Sequence, residues 1–248
     1  MLQRRTDLST FLVHLTRDTK AYTARENLVS LMDMRTIRAR TPLGMAKDLD
    51  KHLEGTVATQ RVVCFSETPL EHTWMMVRDI EGRQQEFQPY GLVFSKTSCR
   101  RAGCNPVWYL DITAGHDWLT VPVADLVAQA KEASRNKSGG LEAERLAEQS
   151  IFRLTPFIEQ IGNPSGIRKE FWWEREWRHS GDFIFGPRKV VAVLAPEDAH
   201  DELEGEIAEL DDDWKRRRVP LIDPSWGLER MISALARIDP DEAGPWPE

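Results

Sequence analysis

The chain has 248 residues, of which 41% are hydrophobic and 29% charged, with a formal net charge of −7. That balance supplies enough apolar side chains for a sizeable core and excludes wholesale disorder. The negative charge argues against a broad surface for coating nucleic acid, which needs clustered Lys and Arg on one face.

No apolar run reaches the roughly 20 residues a spanning helix needs, and Met1 to Thr10 lacks the apolar core of a signal peptide, so a cytoplasmic protein without membrane contact is expected. Cys64, Cys99 and Cys104 show no close Cys-x-x-Cys spacing and are expected as reduced thiols.

In chain order, Phe11-Leu12-Val13-His14-Leu15-Thr16 reads as a strand. Thr23-Ala24-Arg25-Glu26 is a capping-box pattern ahead of Leu28, Val29, Leu31 and Met32, which places a helix start near Ala24. Arg61-Val62-Val63-Cys64-Phe65 is a second strand. It leads into a helix with Thr68 as N-cap, Pro69 as first helical residue and Glu71 as reciprocal partner. The amides of that helix start would suit an anion.

Tyr90 to Phe94 and Val107 to Ile112 are strands expected to pair in one sheet. Val121 to Leu154 turns helical, two helices divided at Ser138-Gly139-Gly140. Val190 to Leu194 returns to the sheet after Pro187. The last fifty residues read as two helices around Val219-Pro220-Leu221-Ile222, followed by a Pro-rich tail from Asp239 to Glu248. The expected architecture is α+β: a main domain over residues 1–196 with a central sheet and flanking helices, and a helical C-terminal appendix over 197–248.

The segment Trp172-Trp173-Glu174-Arg175-Glu176-Trp177-Arg178-His179 carries the densest chemistry, and its three indoles need burial. As a strand it places Trp172, Glu174, Glu176 and Arg178 on one face, with the two carboxylates about 7 Å apart. At an effective dielectric near 20 they repel by about 2.5 kcal/mol, which calls for a proton or a cation such as Arg178. As a helix it stacks Trp173 on Trp177 and pairs Glu174 with Arg178. The aromatic neighbours favour the strand. Beside catalysis stands a structural alternative, in which Glu174, Arg175, Glu176 and Arg178 form an ion-pair network under a Trp-rich core.

His14 within an apolar run reads as a hydrogen-bonded core residue more often than a ligand. The run Lys215-Arg216-Arg217-Arg218 reads as a solvated charge run, with a local basic groove including Arg100 and Arg101 as the other reading. Glu67, Glu174, Glu176 and His179 show no zinc-type spacing, so no metal is expected. Phosphate-binding Gly-rich loops and nucleophile elbows are absent from the sequence.

Three stretches in order resemble the AbiGi family: Phe11 to Thr16; Val63 to Leu70 with Tyr90 to Phe94; and Trp173 to Arg178, spanning roughly residues 9 to 195. The resemblance implies a role in abortive infection, as the antitoxin-like partner of a toxin, AbiGii. A looser similarity is to the ADP-ribosyltransferase fold of DNA-modifying toxins. It implies NAD as cofactor, with His14 and Thr16 at its ribose, Ser66 in the middle block and Tyr90 stacked on nicotinamide. Glu176 would be the catalytic carboxylate, with Glu174 assisting and Arg178 tuning their charge, and the acceptor would be a nucleic acid or a protein. The readings therefore run from an NAD-dependent transferase in phage defence, through a non-catalytic antitoxin-like partner, to a metal-dependent nuclease.

Overall fold

The strand expected at residues 11–16 is observed as Phe11–Leu15 in the computed structural model, which describes residues 8–47, 60–79, 86–163, 172–239 and 242. It pairs antiparallel with Gly91–Ser95 in the register Phe11↔Ser95 to Leu15↔Gly91. Gly91–Ser95 in turn pairs antiparallel with Val190–Leu194, with a bulge between Val190 and Ala192. Leu221–Ile222 adds parallel to Val190–Leu194, which makes the sheet mixed. On the other side of Phe11–Leu15, Val13 faces Ser66.

Leu92, Val93 and Phe94 alternate between faces yet are all fully buried, so this sheet is covered on both sides. Gly91 has a packing reason: a Cβ there would stand 2.6 Å from the carbonyl oxygen of His14.

These strands belong to one compact unit made of Met1–Thr36, Phe65–Arg101 and Ile184–Glu248; the other is made of Ile37–Cys64 and Ala102–Phe183. In the first unit the capping box forms as expected. Glu26 N–H donates to the Thr23 hydroxyl, and Thr23 N–H to the Glu26 carboxylate at 2.7 Å, starting the helix Ala24–Met34. Leu28 and Met32 from this helix are fully buried. His200–Leu210 packs against it, and Trp214 of the following helix Asp212–Arg217 is fully buried with its indole N–H on the Met32 carbonyl. A buried indole removes about 200 Å² from water, about 5 kcal/mol before ordering costs.

Residues 197–248 thus contribute those two helices, divided at Asp211, then Leu221–Ile222 and the helix Leu228–Ala236. The Pro-rich tail lies outside the described residues except for Asp239 and Glu242.

Local capping after Arg61–Ser66 differs from expectation. The chain makes a 3-10 turn, Leu70–His72, and a single helical turn, Trp74–Val77, neither with a side-chain cap. Thr68 instead shares a 2.8 Å hydrogen bond with the Ser66 hydroxyl, which removes it from the capping role and leaves no helix of useful length for an anion.

In the second unit, Thr41–Pro42 pairs with Arg61 and Val62, and Glu176–Ser180 runs between Asn105–Pro106 and the strand containing Arg61. The strand Trp108–Asp111 does not pair with Gly91–Ser95 as expected. It pairs parallel with Ile158–Ile161, a segment that the sequence reading leaves unassigned between helix and strand. The helix Thr120–Ala133 is observed, and the second expected helix breaks at Gln149 into Ala143–Glu148 and Ser150–Leu154. Val127, Ala130, Leu146 and Phe152 bury one side of these helices, and Leu110, Val123 and Ile158 join the small parallel sheet to them. Among the described residues no helix is long and apolar enough to cross a membrane.

Candidate functional site

The strand Glu176–Ser180 turns Glu176 and Arg178 to one side and Trp177 and His179 to the other. Arg178 is 1% exposed, and a buried cation of this kind costs several kcal/mol unless it is paired and fully hydrogen-bonded. Its guanidinium is paired, and each of its three nitrogens donates a hydrogen bond. Nε donates to Glu176 Oε1 at 2.9 Å and Nη2 to Glu176 Oε2 at 2.7 Å, a bidentate pair. Nη2 also donates to Glu159 Oε2 at 2.7 Å, and Nη1 to the Pro156 carbonyl at 2.7 Å. Glu159 comes from the strand Ile158–Ile161 and Pro156 from the 3-10 turn before it.

The electrostatics follow from this packing. Burial works against the charge on Arg178, but Glu176 and Glu159 outweigh it and hold the guanidinium protonated. Burial pushes the Tyr109 phenol up, and its oxygen accepts the Glu176 N–H at 2.9 Å. Burial, reinforced by Glu176, also pushes the Cys64 thiol well above the ordinary range, so it stays protonated. Cys64, Cys99 and Cys104 are all reduced thiols.

The expected pair of carboxylates on one strand face is corrected. Glu174 ends the 3-10 turn Trp172–Glu174, and Arg175 follows in the left-handed region at φ 48°, so the strand begins only at Glu176. The second carboxylate at the guanidinium is Glu159. The sequence carries no strand signal for it: Ile158-Glu159-Gln160-Ile161 spaces its apolar residues three apart rather than two, and only the parallel partner makes it a strand.

The tryptophans are corrected as well. Trp177 is buried, Trp173 half-buried, and Trp172 is 55% exposed because it precedes the strand. His179 directs Nδ1 at the Gly181 carbonyl and Nε2 at the Ala102 carbonyl, both at 3.0 Å, and its ring meets Phe183 edge-on. That is a positioned structural histidine. Among the described residues no group of three or more His, Cys, Asp and Glu side chains could hold a metal ion.

His14, Thr16, Ser66 and Tyr90 all lie in the first unit, whereas Glu174, Glu176 and Arg178 lie in the second. Thr16 and Tyr90 are adjacent: the Thr16 N–H donates to the Tyr90 carbonyl at 2.8 Å. The Thr16 hydroxyl is directed at the Ala24 carbonyl at 2.8 Å and the Tyr90 carbonyl at 3.1 Å, tying the strand end to the helix start. Tyr90 is half-buried, and burial raises its phenol. The His14 ring lies 5.7 Å from Phe65, at the head of an aromatic row continuing through Phe94 to Phe185. Ser66 is buried with its hydroxyl on Thr68. Beside it, buried Glu67 pairs with Lys96 at 2.6 Å, a partner from the next strand end that sequence spacing does not indicate.

Residues 20–200 match the family model described as "Putative abortive phage resistance protein AbiGi, antitoxin". No curated protein and no solved structure matches the chain.

Proposed function

Because this chain belongs to the AbiGi family and so to abortive phage resistance, we propose that it acts there as an antitoxin, a binding protein that holds a toxin partner. The observation that carries the reading is the state of Glu176, the carboxylate best placed by sequence for transferase chemistry. Both its oxygens accept from the buried Arg178, which also donates to Glu159 and the Pro156 carbonyl. A carboxylate stabilising positive charge on a ribose would need an oxygen aimed at substrate. Here both serve a guanidinium that burial would otherwise penalise. The Thr16 hydroxyl is likewise spent on the Ala24 carbonyl.

The test is co-expression with the product of the adjacent gene. The antitoxin reading expects that product to arrest growth alone, and growth to recover when this chain is present and a stable complex forms. Glu176→Gln, at matched protein abundance, should rescue as well as the wild type. The purified protein, incubated with labelled NAD and with DNA, RNA and protein acceptors, should transfer no label. Label transfer that vanishes in Glu176→Gln would overturn the reading in favour of the NAD-dependent transferase.

A further inference from the structure

The run Lys215-Arg216-Arg217-Arg218 does not stand alone in the fold. The helix Asp212–Arg217 packs against the 3-10 turn Pro187–Lys189, and the Arg217 guanidinium reaches back to the Val190 carbonyl at 3.0 Å. Arg237, just past the helix Leu228–Ala236, donates to the carbonyls of Arg217 and Arg218 at 3.0 and 2.9 Å. Three separate segments therefore bring Arg188, Lys189, Lys215, Arg217, Arg218 and Arg237 together within the first unit.

Helix ends account for only part of this charge. Each helix C-terminus carries about half a negative charge; Arg237 serves the carbonyls at the end of the helix Asp212–Arg217, and Arg217 is held by the carbonyl of Val190 at the start of a strand. Arg216 is paired with Asp213 at 2.7 Å. Arg188, Lys189, Lys215 and Arg218 are exposed and have no carboxylate partner among the described residues. The crowding is felt inside the patch: burial, and then the neighbouring charge of Arg237, lowers Arg217 from its ordinary value.

We infer that this basic patch is a docking surface for an acidic segment of the protein partner. The inference rests on the antitoxin reading. The choice of a protein segment over nucleic acid follows from the rest of the charge. The chain carries −7 overall, so with these six cations set aside the remainder is nearly twice as negative. An extended polyanion would run from the patch into that repulsive field, whereas a short acidic segment meets the cations alone. Of the four cations without a carboxylate partner, Arg188 and Arg218 are arginines, whose planar forks bind carboxylates bidentately.

The experiment uses fluorescence anisotropy of the full chain with a short fluorescein-labelled oligoglutamate peptide, and with a DNA duplex of matched charge. The peptide should bind at low salt, weaken as salt rises, and bind the Lys189→Glu/Lys215→Glu variant at least about tenfold more weakly, with the duplex weaker than the peptide. Lys189→Gln/Lys215→Gln, a milder change, should lose affinity in the same direction with an unchanged melting temperature. Absence of peptide binding, unchanged affinity in both variants, or a duplex bound more tightly than the peptide would each overturn the inference. The two proposals separate in the co-expression assay. If the wild type does not rescue growth, the antitoxin reading falls while a measured peptide site stands. If the wild type and the charge-reversed variant rescue equally, the patch is not the docking surface.

Discussion

Replacing Arg178 with Met tests whether the cluster around Glu176 is structural, because it removes the guanidinium and leaves Glu176 and Glu159 facing one another. Their oxygens each lie 2.7 Å from the same Nη2, so they are at most twice that distance apart. At about 5 Å and an effective dielectric near 20, two carboxylates repel by about 3 kcal/mol. Deleting one member of a buried ion pair costs about 3–5 kcal/mol by the same logic of stranded charge. The melting temperature should therefore fall by about 6–20 °C, at roughly 2–4 °C per kcal/mol for a chain of this size. Glu176→Gln should cost less, about 1.5–3 kcal/mol, since Arg178 keeps Glu159 and the Pro156 carbonyl. The double variant should be less unstable than the two single losses added together, because neither partner is then left opposite an uncompensated charge. Urea unfolding followed by circular dichroism and by tryptophan fluorescence measures all three. An Arg178→Met loss under about 1 kcal/mol, or a double variant worse than additive, refutes the structural role.

Thr23→Ala should lose about 1 kcal/mol in urea unfolding, the usual worth of an N-cap hydroxyl. The Thr23 backbone N–H, and then its hydroxyl, hold the Glu26 carboxyl below its ordinary value. That contribution is present above the unfolded carboxyl range and is lost as pH falls through the lowered folded value. Glu26→Gln should thus differ from wild type near neutrality and converge with it in acid; a difference that grows in acid would contradict the assignment. Trp214→Ala should cost about 3–5 kcal/mol and Trp214→Phe less, the latter losing mainly the bond to the Met32 carbonyl; equal losses would show that this hydrogen bond dominates the packing. The Cys64 thiol, kept protonated by burial and by Glu176, should react with a disulfide reagent at mildly alkaline pH far more slowly in the native protein than after unfolding in urea. Equal rates would contradict the described packing.

The elements legible in the sequence are those whose signal is local. The Thr23/Glu26 capping box, the apolar run of Phe11–Leu15 and the β-branched runs of Arg61–Ser66 and Val190–Leu194 specify their own geometry, because caps and apolar continuity act within a few residues. The run Trp172 to His179 was legible as a place where charge and indole meet, but not as a geometry. One left-handed residue, Arg175, separates Glu174 from the strand, and nothing in an arginine announces a positive φ. Partners remote in sequence were invisible in the same way. Glu159 reaches Arg178, Lys96 reaches Glu67, and Arg188 and Arg237 join Arg217 only because strands and helices far apart in the chain are brought side by side. The sequence by itself determined the strands and helices whose caps or apolar runs are local, and which family the chain resembles; tertiary structure decided the strand Ile158–Ile161, the short turns after Ser66 and before Glu176, and which charges face each other, since pairing of buried ions depends on distances that no spacing along the chain encodes.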